Sequence, residues 1–211
     1  MKPLKTIATV ENWTLRQRGD EYLVQRDGRM VLTSKRHGSE DLLAYVGCAR
    51  LDRQESAKVL VGGLGFGFTL RATLEAMPRR AKVVVNEPSK ALAAWNQELV
   101  GHLTQDPLLD ERVSLEVGAL RKTLNTHQGE FDAIVMDVDD AAFAVAMNET
   151  LGLYSVAGLS SLRLALRKGG RLAIWSPGPQ SGFVNRLKEV GLTPSVQKPE
   201  TGKHLIFVGD L

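Results

Sequence analysis

A chain of 211 residues is long enough to bury one substantial core, and its length argues for one main domain with a small appendage. Its composition, 43% apolar and 24% charged, is that of an ordinary globular protein, and a net charge of +3 without a lysine–arginine block argues against a nucleic-acid partner. The single cysteine, Cys48, excludes an intramolecular disulfide and reads as buried filler, and no apolar run suits a signal peptide or a membrane span, so the expectation is a cytoplasmic protein with no membrane partner.

From Thr6 to Thr33 short β-favouring runs are broken at Arg18-Gly19-Asp20 and Asp27-Gly28, which predicts a small antiparallel sheet. "SEDLLAYVGCARL" follows as a helix, with Ser39 as its candidate N-cap and Leu42, Leu43 and Val46 at helical spacing. The rhythm changes at residue 57. "AKVLVGG", "AKVVVNE", "RVSLEVG", "FDAIVMD" and "GRLAIWS" are apolar runs separated by stretches long enough for helices, the pattern of a parallel sheet with crossover helices. "SGFVNRLKEVGL" then reads as a helix ending near Gly191, and "TPSVQKPETGKHLIFVG" as a terminal hairpin turning around Glu200 to Gly202. The division is thus 1–55, a small β segment plus helix, and 56–211, the larger domain.

"VGGLGFGF" places Gly63, Gly65 and Gly67 between the first of those strands and a helical pattern. Without a Cβ, the chain there can turn sharply and let a ligand lie against the main chain. Phe68 breaks the dinucleotide spacing G-x-G-x-x-G and leaves G-x-G-x-G. The second strand ends in Glu87, where an acid can accept hydrogen bonds from the ribose hydroxyls of a nucleoside; beside Pro88 it also suits a helix N-terminus. The fourth ends in "MDVDDAAF", where Asp137, Asp139 and Asp140 repel one another unless a cation, a metal or hydrogen-bond donors compensate. A cationic substrate fits. A hard metal ion is the rival, with no histidine at ligand spacing to support it, and a solvated acidic loop is the plain alternative. His37, His102, His127 and His204 lie in unrelated segments, no serine sits in a G-x-S-x-G elbow, and Trp175 reads as core.

With these residues in place, the run from Lys58 to Pro177 resembles the spermidine synthase branch of the class I methyltransferase-like fold. The resemblance rests on "KVLVGGLGFGFTLRA", "VVVNEPSKALAAWNQ", "DERVSLEVGAL", "FDAIVMDVDD" and "LYSVAGLSSLRLALRKGGRLAIWSP" in that order. It implies a Rossmann-like α/β fold with a mostly parallel seven-stranded sheet and a C-terminal β-hairpin, preceded by a small antiparallel β segment. It also implies a homodimer without metal, using S-adenosylmethionine or its decarboxylated form as donor and passing an alkyl group to an amine or cationic acceptor. Gly63, Gly65 and Gly67, with Gly118 and Ala119, would line the donor, and Glu87 would hold its ribose. Asp137 and Asp140 would be catalytic, and Glu40, Asp41 and Asp139 would face the acceptor.

The departures concern the polyamine site. The synthases' aspartate inside the glycine turn is Phe66 here, and their Gly-Asp-Ala is Gly118-Ala119-Leu120. The glutamine of their D-G-x-x-Q is Val31, their Tyr-His-Glu is Ser39-Glu40-Asp41, and the proline after Asp140 is Ala141. The expectation is therefore a spermidine synthase-like transferase whose acceptor the sequence does not name. Two alternatives stay open: a catalytically silent nucleoside-thioether binding protein, and an S-adenosylmethionine-dependent methyltransferase with a non-polyamine substrate. A nicotinamide oxidoreductase is disfavoured by Phe68 and the terminal hairpin.

Overall fold

β1 (Lys5–Val10), β2 (Trp13–Arg18), β3 (Glu21–Arg26) and β4 (Arg29–Thr33) pair antiparallel in sequence order, in a computed structural model that describes residues 2–35, 37–138, 152–198 and 204–211. Two of the connections turn at Gly19 and Gly28, as their turn chemistry predicts. The first connection has no glycine. Glu11 takes it at φ +51°, and the Asn12 side-chain amide donates to both oxygens of Asp27 at 3.0 Å, tying this turn to the β3–β4 turn.

Helix α1 (Gly38–Cys48) starts two residues earlier than its sequence signal suggests. The N-cap position belongs to His37, so Ser39 is not the cap: it lies in the first turn, where its hydroxyl donates to Glu40 Oε2 at 2.8 Å. Leu43 and Cys48 of α1 enter the main core, where burial pushes the Cys48 thiol up to about 12, in keeping with a filler role.

β5 (Lys58–Gly62), β6 (Lys82–Glu87), β7 (Val113–Val117), β8 (Phe131–Met136), β9 (Leu166–Ser176), β10 (Thr193–Gln197) and β11 (Leu205–Asp210) form the second sheet, ordered β10-β11-β9-β8-β5-β6-β7. The pairs from β9 through β7 are parallel, and β11 is antiparallel to both β9 and β10. The central strands β5 and β8 are buried on both faces, which is why they read as unbroken apolar runs. β9 begins earlier than its apolar run, at Leu166, with a register irregularity against β8. The turn expected at Glu200–Gly202 lies outside the described residues, while the paired strands on either side bear out the hairpin.

The crossover helices are α2 (Phe68–Ala76), α3 (Lys90–Trp95), α4 (Leu120–Thr126) and α5 (Val156–Ala165); α6 (Phe183–Glu189) leads into the terminal hairpin. α3 widens into a π turn at Asn96–Val100 and tightens into a 3-10 turn at Gly101–Thr104. The small sheet is docked on this region. Leu15 and Val24 share a buried apolar cluster with Phe66, Phe68, Ala91, Leu92 and Trp95.

Candidate functional site

The strand order reverses beside β5. The chain runs from β5 out to β6 and β7, then returns to place β8 on the other side of β5, and such a switch point leaves a crevice beyond the carboxyl ends of the strands. Backbone hydrogen bonds draw four strand ends together there. Gly63 N–H donates to the Asn86 carbonyl at 3.0 Å, Asp137 N–H to the Gly62 carbonyl at 2.8 Å, and Gly118 N–H to the Glu87 carbonyl at 3.0 Å.

The glycines of the turn serve different needs. A Cβ on Gly63, at φ +97°, would lie 2.0 Å from the Asp137 carbonyl oxygen, so this residue permits contact between the ends of β5 and β8. A Cβ on Gly65, at φ +53°, would meet no described atom within 4 Å, so among the described residues nothing covers this side of the turn. Gly67 occupies the N-cap of α2, and Gly118 and Ala119 carry the chain from β7 into α4, Ala119 as its N-cap.

Glu87 is 4% exposed. Its Oε2 accepts the Leu64 N–H at 3.0 Å and its Oε1 the Ser89 N–H at 2.8 Å, so one carboxylate braces both the glycine turn and the start of α3. Beside it the Asn86 side-chain amide donates to the carbonyls of Glu116 and Gly118 and to Thr123 Oγ1. Two further residues hold the turn from behind: Asn96 Nδ2 donates to the Gly65 carbonyl at 2.8 Å and Thr104 Oγ1 to the Phe66 carbonyl at 3.2 Å. Sequence reasoning missed both, since in the sequence they are one polar residue on an apolar helix and one in a loop. Phe66, standing where the synthases carry an acid, is 5% exposed in the cluster beneath the small sheet.

Asp137 receives a hydrogen bond on Oδ2 from the Thr69 hydroxyl in the first turn of α2. Sequence reasoning missed Thr69 as a functional residue, although it lies in the segment "KVLVGGLGFGFTLRA" on which the resemblance rests in part. Tyr154 is fully buried, and its pKa is raised by that burial and by the Asp137 charge. Asp139 and Asp140 lie outside the described residues.

Glu40 and Asp41 sit in the first turn of α1, and Asp41 is tied to α2. Asp41 Oδ1 pairs with Arg71 Nη2 at 2.5 Å, and His37 stacks on Phe68 with centroids 4.2 Å apart and planes 8° from parallel. Burial raises the Glu40 pKa, opposed by the Ser39 hydrogen bond. Gly63, Gly65, Gly67, Glu87, Gly118, Ala119 and Asp137 therefore gather at one sheet edge, with Glu40 and Asp41 at the adjoining helix starts. Among the described residues no group of three His, Cys, Asp or Glu side chains is placed to hold a metal ion. A hollow of about 370 Å³ is lined by Arg71, Leu74 and Glu75 of α2 and by residues between Thr104 and Arg112.

Solved structures share this fold. Spermidine synthase from Thermotoga maritima is 17% identical with a TM-score of 0.75 over 97% of this chain and 72% of its own. A spermidine synthase in complex with the transition-state analogue AdoDATO is 18% identical, with a TM-score of 0.72 over 94% of this chain and 69% of its own. The CurJ carbon methyltransferase is 13% identical, with a TM-score of 0.59 over 81% of this chain and 53% of its own. No protein-family model and no curated protein matches the chain. The fold is thus the spermidine synthase-like form of the class I methyltransferase-like α/β fold, with its N-terminal antiparallel sheet.

Proposed function

We propose that the protein is a transferase that binds an adenosyl sulfonium donor, S-adenosylmethionine or its decarboxylated form, and passes an alkyl group to an amine or other nucleophile beside Asp137. The observation that carries this reading is the buried Glu87 carboxylate, clamped under a glycine turn whose Gly65 and neighbouring Gly118 present open main chain at the switch point. That floor suits a nucleoside, and the fold is shared with a synthase that binds a transition-state analogue. The donor supplies a carbon activated by positive sulfur: the acceptor's lone pair forms the new bond to it, the C–S pair leaves with sulfur as a neutral thioether, and the acceptor loses a proton. In this reading the chain's residues align the two reactants, and Asp137 takes the proton or orients the neutral amine.

With Phe66 buried in an apolar cluster, position 66 offers no carboxylate to the donor's ammonium group, which S-adenosylmethionine and its decarboxylated form both carry, so it does not choose between methyl and aminopropyl transfer. Glu40, Asp41 and Asp139 remain the acceptor-side acids of the proposal, and Asp140 a second catalytic acid.

The test is a thermal-shift panel of S-adenosylmethionine, its decarboxylated form, methylthioadenosine and NAD. A true ligand at a hundred times its dissociation constant adds about 2.7 kcal/mol of stability. The expected result is stabilisation by one or more of the adenosyl sulfur compounds and none by NAD. Glu87→Gln is expected to weaken that binding at least about tenfold by calorimetry, the loss of one charge-assisted hydrogen bond. A folded Glu87→Gln protein with wild-type affinity removes Glu87 from the site.

A further inference from the structure

α2 carries two buried threonines, and they satisfy their hydroxyls differently. Thr73, 0% exposed, donates back to the Thr69 carbonyl at 2.7 Å, the usual solution for a threonine inside a helix. Thr69, 1% exposed, leaves the helix and donates to Asp137 Oδ2 on the neighbouring strand end. A donor of this kind stabilises the ionised carboxylate and limits its rotation, and the first turn of α2 adds the favourable end of the helix dipole. The backbone fixes the Asp137 end of this pair, through Asp137 N–H to the Gly62 carbonyl and the close approach of the Asp137 carbonyl to Gly63.

We propose that Thr69 is a positioning residue for Asp137, fixing one carboxylate oxygen and keeping the group ionised and oriented toward the acceptor. The proposal rests on the reading of Asp137 as the acid beside the acceptor, and it adds the residue that sets that acid's geometry and basicity. Among the described residues Tyr154, from the segment before α5, is a titratable neighbour of Asp137; its raised pKa keeps it neutral across the working range, so it does not compete as a charge.

Carbon-detected NMR titration of the aspartate carboxyls, with Asp137 assigned through Asp137→Asn, reads the effect without any acceptor. In Thr69→Val the Asp137 pKa is expected to rise by about one to two pH units, the loss of one hydrogen bond to a charged group. Thr69→Ser restores the wild-type midpoint, and Thr73→Val, which removes an equally buried hydroxyl, leaves it unchanged. If Asp137 titrates alike in wild type and Thr69→Val, or moves equally in Thr73→Val, the proposal is overturned. Should the valine variant not fold, the wild type still decides: the Thr69 hydroxyl proton must exchange slowly and shift at the pH midpoint of Asp137, and an uncoupled proton overturns the assignment. Methylthioadenosine affinity should be the same in wild type and Thr69→Val, since Thr69 acts through Asp137. Failure of the wild type to bind any adenosyl sulfur compound would sink the donor reading while the titration still judged Thr69.

Discussion

Gly63 and Gly65 are two residues apart and protect different things. An alanine at Gly65 takes a left-handed conformation that costs about 1–2 kcal/mol, and its methyl group meets no described atom within 4 Å, on the side where the proposed reading lays the nucleoside. Alanine at Gly63 has its Cβ 2.0 Å from a backbone oxygen of Asp137, so the ends of β5 and β8 must part. Gly63→Ala is accordingly expected to lose more stability in urea than Gly65→Ala. Gly65→Ala is expected to stay folded and lose most of its affinity for methylthioadenosine in calorimetry. The reverse pattern would place the open face of the turn elsewhere. Glu87 has a structural duty of its own, because its carboxylate braces the turn through the Leu64 N–H, and in the proposed reading the same group meets the donor's ribose.

At the level of elements, the underside of the larger sheet is laced by charge. Lys58 at the start of β5 pairs with Glu130 ahead of β8, and His127 at the end of α4 bridges Glu116 of β7 at 2.8 Å and Glu130 at 2.9 Å. The Lys58 hydrogen bond, then that of His127, hold the Glu130 pKa down to about 2 from an ordinary 4.5. A depressed carboxylate pKa contributes stability above pH 4.5 and loses it as pH falls toward 2. The Glu130 side chain is 42% exposed, so solvent screening keeps the contribution below about 1 kcal/mol. The melting temperature of wild type should therefore exceed that of Glu130→Gln at neutral pH, and the gap should close between pH 4.5 and 2; a gap that persists at pH 2 rules out this linkage. His127 illustrates what sequence can and cannot disclose at this scale. The parallel strands were legible because burial on both faces leaves unbroken apolar runs, and the glycine turn was legible from its spacing. The His127 cluster, Asn96, Thr104 and Thr69 were not, because their partners come from other elements and leave no periodicity. The turn at Glu11 escaped for a simpler reason: an ordinary residue accepts a positive φ there, so no glycine marks it.

For the whole molecule, the consequence of the two-sheet arrangement is a prediction about substrate. A diamine bound across a site needs an anionic or acceptor group at each end, since an unpaired buried ammonium costs several kcal/mol. Val31 and Ser39 stand where the resemblance places a glutamine and a tyrosine, Asp41 is engaged by Arg71, and Glu40 is engaged by Ser39. Given decarboxylated S-adenosylmethionine and putrescine, the purified protein is expected to make spermidine with kcat/KM below about 10⁴ M⁻¹s⁻¹, the lower end of the usual enzyme range. A rate above that, abolished in Glu40→Gln or Asp41→Asn, would show that these acids serve the far end of a diamine. Phe66 adds a constraint of another kind, on the order in which such a chain can change. Its ring forms part of the seam between Leu15, Val24 and Trp95, so an aspartate introduced there alone would place an unpaired charge in an apolar cluster and loosen the small sheet before any donor gained from it. The lining of β2 and β3 would have to be rebuilt first. Residue 66 is therefore one substitution away from an acid on paper and several, in a fixed sequence, along any path of folded intermediates.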